Sequence, residues 1–383
     1  MVRARAPPPP GDFRGACPVG RLGGAPVRQA VRVSLTPATP APVRRMHGAA
    51  RFEDAVEQAI ERRLRTRGWL PKIYAYTGYG GTGWVRVMGR VLLTPVPPQG
   101  EPPRRAPKKV RGWRSFATLP VKHTEMIIKA AGERYRTRTD RTGLVDCVIK
   151  ADLEPGWRSV TLSTADAKDV EAPVRVMEPD ARFGIISDID DTVMVTALPR
   201  PLLAAWNSFV LDEHARAAVP GMAVLYERLT TANPGAPVLY LSTGAWNVAP
   251  ALTRFLSRHL YPPGPLLLTD WGPTPDGWFR SGQQHKRVTL ARLAREFPRV
   301  RWLLIGDDGQ HDPEIYAEFA KAHPQNVAAI AIRRLSPTQT VLAGGFPNPP
   351  GGGPATRRTT GENWLCAPDG AGLWRLLREA GLV

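Results

Sequence analysis

A parallel α/β sheet with helices on both faces, preceded by a smaller β-sandwich-like domain, is the architecture this sequence predicts. Two textures of the chain and one abrupt cluster of acids carry that expectation. After Asp180, short apolar runs alternate with helical patterns, the rhythm of a βαβα chain whose strands pair in parallel. Over residues 113–177, short β-type runs alternate with turn signals instead, as in a small sandwich. The third observation is the stretch 183–195, F-G-I-I-S-D-I-D-D-T-V-M-V, where an apolar run stops at Asp188, Asp190 and Asp191.

Taken in order, residues 1–50 are rich in Pro, Ala, Gly and Arg with Asp12 as the single acid, and read as a disordered basic tail. Met46 offers a second start just before the ordered pattern. Phe52, Val56, Ile60 and Leu64 recur every fourth residue, which predicts an amphipathic helix stopped by Gly68. Residues 73–77 predict a strand, and residues 78–83 spell G-x-G-x-x-G. A dinucleotide fingerprint must open a helix. Here Trp84, Val85, Val87, Val91 and Leu92 follow as a strand, so the glycines predict a loop between strands. Residues 95–107 read as a proline-rich linker running into a basic stretch, 104–114. Strands at 124–130, 143–150, 157–162 and 172–176 complete a β-rich domain over 51–179. Within a catalytic domain over 180–343, strands are expected at 183–187, 238–242, 266–269, 302–306 and 327–332. Helices are expected at 221–232, 248–260, 286–297 and 313–322. Residues 344–383 read as a flexible Gly/Pro/Arg segment followed by a short helix over 373–380.

Composition narrows the partners. The chain carries 52 Lys and Arg against 34 Asp and Glu, a formal charge of +18. Such an excess attracts an anionic membrane surface, a nucleic acid or a phosphorylated substrate. Only nine of these cations are lysines, and an arginine bias in coding explains the same excess without function. No zinc-finger or aromatic RNA-binding pattern accompanies it, so specific nucleic-acid binding is not expected. Cys17, Cys147 and Cys366 form neither a zinc spacing nor an even disulfide framework, which fits a reducing compartment. No apolar run approaches the ~18 residues of a membrane span, and the N-terminus has no apolar signal core. The expectation is a cytoplasmic protein with peripheral contact to an anionic membrane.

The chemistry gathers at strand ends, where ligands bind in an open α/β sheet. Acids crowded there repel one another and are costly to bury unpaired, so a divalent metal is the simplest companion. An aspartate beside a metal can also attack a phosphoryl group. The first strand delivers Asp188 and Asp190, the second Ser242, Thr243 and Gly244, and the fourth Asp307, Asp308 and Asp312. Lys286 opens the helix before the fourth strand. Hydroxyl and backbone amide can hold phosphate oxygens, and lysine supplies positive charge to phosphate and to an aspartyl nucleophile. The acidic clusters can share one Mg²⁺, a hard ion that prefers carboxylates, water and phosphate oxygens.

With these residues in that order, the sequence resembles the haloacid dehalogenase (HAD) superfamily of phosphohydrolases. Asp188-Ile189-Asp190-Asp191-Thr192 looks like its D-x-D-x-T motif. The resemblance implies a HAD-like Rossmannoid parallel sheet, Asp188 as nucleophile forming an aspartyl-phosphate, and Asp190 as general acid/base. Ser242 matches the second motif and Lys286 the third. The Gly306-Asp307-Asp308 segment matches the fourth, with Asp307 as metal ligand and Asp308 or Asp312 assisting. A closer resemblance is to the phosphatidate phosphatase catalytic-domain family of fungal actin-patch-associated proteins and bacterial homologues. It is carried by I-S-D-I-D-D-T-V (186–193), L-S-T-G-A-W-N (241–247), His285-Lys286 and G-D-D-G-Q-H-D-P-E-I-Y (306–316). Upstream Y-x-G-Y-G (76–80) and G-R-V-L (89–92) extend it. Family members often have S-x-S-P-W where this chain has Ser242-Thr243-Gly244-Ala245-Trp246, a departure that bears on substrate identity.

The short intervals between motifs are largely consumed by the fold's own elements, leaving little or no cap, which suits a bulky lipid headgroup or a protein phosphate. Trp206, Trp246, Trp271 and Trp278 are candidates for an apolar rim facing a membrane, with core packing preferred for at least two. His285 and His311 are expected to hydrogen-bond around the site rather than react. The implied function is Mg²⁺-dependent hydrolysis of phosphatidate to diacylglycerol and phosphate. The alternatives are a HAD phosphatase for a soluble or protein phosphomonoester and a non-catalytic module that binds membranes or partners.

Overall fold

A computed structural model of the protein describes residues 20–21, 59–95, 118–195, 217–269, 282–309, 311–342 and 364–383. Nearly all of the 1–50 tail, Phe52, Val56, the 95–107 linker beyond Pro95, the 104–114 basic stretch, Trp206, Trp271, Trp278 and the 344–360 segment lie outside them. So do residues 196–216 and 270–281, the intervals in which a cap would be inserted.

A helix over 59–66 (α1) ends at Gly68, whose φ of 81° terminates it in the left-handed region. The chain then enters a long antiparallel hairpin, β2 (Trp69–Gly81) and β3 (Trp84–Pro95). The glycine-rich stretch is therefore not a loop: β2 runs through it, and only Thr82 and Gly83 make the turn. The glycines serve close approach, since a Cβ on Gly80 would lie 2.4 Å from the Trp84 carbonyl oxygen.

The hairpin is part of one sheet with β1 (Gly20–Arg21), β4 (Leu119–Pro120), β5 (Glu125–Ala130), β6 (Glu133–Arg138), β7 (Leu144–Ile149), β8 (Gly156–Thr164) and β9 (Ala167–Val176). Its order is β1-β6-β5-β8-β9-β2-β3-β4, with β7 pairing on β3; every pair is antiparallel except β2 with β9, and we refer to it as the antiparallel sheet. β1 arises inside the stretch read as a disordered tail, where it covers the edge of β6. β6 escaped the sequence reading because only Tyr135 is apolar in E-R-Y-R-T-R; Tyr135 and Thr137 nevertheless alternate inward. Val85, Ile128, Leu162 and Val174 are fully enclosed in this sheet's core.

The second layer system is a six-stranded parallel sheet of β10 (Phe183–Ser187), β11 (Val238–Ala245), β12 (Leu266–Thr269), β13 (Arg301–Asp307), β14 (Val327–Arg333) and β15 (Trp364–Ala367). Its helices are α2 (Met222–Ala232), α3 (Ala249–Arg258), α4 (Gly282–Glu296), α5 (Asp312–Ala322), α6 (Pro337–Leu342) and α7 (Gly370–Glu379). Helix α4 starts at Gly282, so Lys286 does not open it but sits in its second turn; the polar residues ahead of Lys286 show no apolar period from which to place the start. Every residue of β14 is buried, as expected of a strand covered on both faces.

Strand order is β12-β11-β10-β13-β14-β15. Counted from β10 this is 3-2-1-4-5-6, so the winding direction reverses between β10 and β13, and a crevice opens beyond their carboxyl ends. Tyr76, Tyr79, Met88 and Leu144 of the antiparallel sheet join the hydrophobic core of the parallel one.

At the base of β13, Trp302 is wholly buried and fills the space left by Gly184, where a Cβ would come within 2.4 Å of its ring. Trp302→Ala is expected to cost about 3–5 kcal/mol, measured as a lowered urea midpoint with an unchanged slope.

Candidate active site

The turn after β10 builds the first part of the site. The Asp188 amide donates to the Ile305 carbonyl at 2.8 Å, continuing the ladder to β13 by one residue. The chain then reverses: the Val193 and Met194 amides both donate to the Ile189 carbonyl, and Asp191 takes a left-handed φ of 57°. Arg333, the last residue of β14, donates from Nη1 to the Asp191 carbonyl at 2.5 Å and fixes that strained residue. Asp191 is thus a turn residue, while Asp188, Asp190 and Thr192 are buried around it.

Three elements converge on Asp188. Lys286 of α4 donates from Nζ to Asp188 Oδ1 at 2.6 Å and to Asp312 Oδ1 at 2.5 Å. Asp312 opens α5, and Asp307 closes β13. Gly306 makes room for this, because a Cβ there would lie 2.6 Å from Asp312 Oδ2. Asp307 Oδ1 accepts from the Gly309 amide at 2.8 Å, and Thr192 Oγ1 donates to Asp307 Oδ2 at 3.5 Å. Carboxylate oxygens of Asp188, Asp307 and Asp312 all lie within 4.8 Å of one another, and all three residues are buried.

The donor set fits a hard divalent cation. It consists of carboxylates alone, and Oδ2 of both Asp188 and Asp312 is buried with no hydrogen-bond partner. Such orphaned oxygens are expensive unless a cation satisfies them.

Ser242, buried at the bend of β11, donates from Oγ to Asp190 Oδ2 at 3.0 Å and accepts from the Gly244 amide at 3.0 Å. Its hydroxyl therefore couples the second strand to Asp190. Thr243 is half-buried, and its carbonyl accepts from Thr269 Oγ1 at 2.9 Å, tying the segment to β12. Asp308 points elsewhere: its Oδ1 accepts from the Leu335 amide at 2.7 Å, so Asp312 rather than Asp308 joins Asp188 and Asp307. His285 contacts the Leu267 carbonyl at 3.3 Å, and His311 pairs with Glu314 at 3.0 Å. Trp246 is buried against Tyr76 rather than offered to a membrane.

Arg333 was not singled out from sequence, and Gly306 was named only as part of the fourth-motif segment. Arg333 had a usable signal, for it ends an apolar strand run just as Asp188, Ser242 and Asp307 do.

The electrostatics follow from burial. Desolvation pushes the Asp188 carboxyl well above the usual range; Lys286 opposes that shift, while Asp312 and Asp190 add to it. Desolvation also raises Asp307, reinforced by the charges of Asp312 and Asp188. For Lys286, burial lowers the pKa, but Asp188 and Asp312 outweigh it and leave the ammonium firmly protonated. A carboxyl raised on folding contributes stability that is full below its unfolded pKa of about 4 and lost as pH rises through the folded value. In chelator, the melting temperature is therefore expected to fall as pH rises above the unfolded value of about 4, with a shallower slope in Asp307→Asn. An identical slope in the variant would show that this cluster does not carry the effect.

Comparison with known proteins points to the same stretch of the chain. Residues 183–334 match the family model described as phosphatidate phosphatase APP1, catalytic domain. The chain is 24% identical over 204 residues to phosphatidate phosphatase APP1 of Saccharomyces cerevisiae, covering 52% of this chain and 34% of that protein. It is 28% identical over 174 residues to an uncharacterized protein of Schizosaccharomyces pombe, covering 45% and 28%. The chain thus spans about a third of the length of these curated relatives. Among solved structures, the carbohydrate acetylesterase XAC1771 of Xanthomonas citri aligns over 67% of this chain and 66% of that one, at 7% identity and a TM-score of 0.24, too low to support an argument. Residues 183–334, which carry β10 to β14 and every acid of the cluster, are thus similar to the phosphatidate phosphatase catalytic domain.

Proposed function

We propose that the protein is a Mg²⁺-dependent phosphomonoester hydrolase of HAD type that converts phosphatidate to diacylglycerol and phosphate. The observation that carries this reading is the buried pairing of Asp188 with Lys286, beside an Asp190 held by Ser242, at the switch point of a parallel sheet. The activity printed for the yeast relative supplies the substrate class.

In the proposed reaction, a carboxylate oxygen of Asp188 attacks phosphorus and the bond to the ester oxygen breaks. Asp190, starting protonated, gives its proton to the departing oxygen, which leaves as the alcohol. Asp190, now a carboxylate, takes a proton from water; the resulting hydroxide attacks the aspartyl-phosphate at phosphorus, releasing phosphate and restoring Asp188. Lys286 favours the ionised form of Asp188 and orients it through its 2.6 Å contact, and it offers positive charge to the phosphoryl oxygens. Asp188, Asp307 and Asp312 would hold Mg²⁺, which when bound offsets charge on carboxylates and phosphoryl oxygens.

The basic charge of the chain favours an anionic surface as the place of work, and a peripheral cytoplasmic location belongs to the same proposal. Among the described residues, no helix is long and apolar enough to cross a membrane. A second reading, a soluble or protein phosphomonoester as substrate, is favoured by one observation: Trp246, in the segment that departs from the family pattern, is consumed by internal packing.

Asp188→Asn and Asp190→Asn are each expected to lower kcat on a generic phosphate ester by about a thousandfold or more, with the melting temperature retained. Activity kept by both folded variants overturns the assignment. Against dispersed phosphatidate and a panel of soluble phosphomonoesters, kcat/KM is expected to be highest for the lipid; a reversed order selects the second reading.

A further inference from the structure

The Y-x-G-Y-G motif in β2 has no role in the chemistry described above, yet it makes the contacts that join the antiparallel sheet to the site. Tyr76 stacks on Trp246 with ring centroids 4.5 Å apart and 24° between planes, and its hydroxyl donates to the Trp246 carbonyl at 3.3 Å. Trp246 directly follows β11, whose Ser242 holds Asp190. Tyr79 is wholly buried and donates from its hydroxyl to Glu296 Oε2 at 2.8 Å. Arg86 of β3 donates from Nη2 to Glu296 Oε1 at 2.8 Å. Both oxygens of Glu296 are thus held by the antiparallel sheet, and its side chain is 3% exposed. Arg86 is steadied in turn by Asp146 of β7 at 2.5 Å, and Asp146 also faces Arg292 of α4 at 3.5 Å.

Glu296 is the last residue of α4, and Lys286 lies in the second turn of the same helix. An α-helix is a stiff rod rising about 1.5 Å per residue, so a clamp at one end fixes the axial position of the other. The contacts of Lys286 with Asp188 and Asp312, at 2.6 and 2.5 Å, leave little slack for a shifted helix.

Residues three apart in a regular strand face opposite sides. Tyr76 and Tyr79 both face the parallel half because the β2–β3 register shifts between them. Gly78 sits inside that irregularity, where a Cβ would lie 2.3 Å from the Arg86 carbonyl oxygen. The motif therefore has a physical reading: two tyrosines aimed at one face, and a glycine that permits the bulge aiming them.

We infer that the antiparallel sheet is a positioning part of the active site, with Tyr76 setting the Ser242 segment and Tyr79, Arg86 and Glu296 setting the helix that bears Lys286. The kinetic arm of the test rests on the phosphatase reading; the hydrogen-exchange arm does not.

The experiment compares full-length Tyr76→Ala, Tyr76→Phe, Glu296→Gln and the core control Val160→Ala, a residue buried in the antiparallel sheet. Tyr76→Ala is expected to raise amide exchange over residues 241–248 and lower kcat by about tenfold or more with KM little changed. Tyr76→Phe, which keeps the stack, restores most of both. Glu296→Gln raises exchange over 282–290 and lowers kcat in the same sense. Val160→Ala, compared at the temperature offset that matches its stability loss, moves neither exchange in these segments nor kcat. If Tyr76→Ala does not fold, Tyr76→Leu takes its place. The inference is overturned if exchange in these segments is unchanged, or if Val160→Ala reproduces the effects at matched stability. A wild-type protein that hydrolyses no phosphate ester removes the phosphatase reading and leaves the exchange arm to decide the positioning role.

Discussion

Three carboxylates held within 4.8 Å of one another, away from water, set the terms for the rest of the molecule. At an effective dielectric near 20, two unit charges at that separation repel by about 3–4 kcal/mol, and Asp190 adds a fourth acid nearby. Lys286 offsets part of this through two short contacts. The two orphaned oxygens of Asp188 and Asp312 mark what one ammonium leaves unanswered. Few chains of this size could tolerate such a cluster without a use for it, because the same burial could be given to apolar side chains at no electrostatic cost.

The scaffold concentrates that cost at one place. The strand order reverses between β10 and β13, so the acids of both strands meet over a single crevice. Gly306 admits Asp312 to the cluster, and Arg333 stabilises the left-handed Asp191 that turns the chain between Asp188 and Thr192. The antiparallel sheet closes the arrangement from outside through Tyr76, Tyr79 and Arg86. Helix α4, which bears Lys286, and the segment after Ser242 are thus the places where the site and the junction between the two halves of the chain share elements.

Much of this was legible in the sequence, for identifiable reasons. The parallel strands are continuous apolar runs ending in polar residues, so β10, β12 and the starts of β11 and β14 fall where apolarity alone puts them. β6 escaped because it is mostly charged, and β15 because its four residues follow directly on a Gly/Pro/Arg-rich stretch. Asp308 and Asp312 were equivalent as letters. Their separation depends on which way a side chain leaves the end of β13, and that is decided by the Leu335 amide on one side and Lys286 on the other. The role of Y-x-G-Y-G was invisible for a related reason, since a register shift in β2 reverses the alternation on which a sequence reading relies.

The central claim, that the acid cluster is built around one divalent cation, is tested most directly by equilibrium binding of Mn²⁺ followed by electron paramagnetic resonance. The account predicts one tightly bound, Mg²⁺-competable ion per chain, lost in Asp307→Asn and in Asp312→Asn and retained in Asp308→Asn. No stoichiometric binding, or binding indifferent to Asp307 and Asp312, would contradict it.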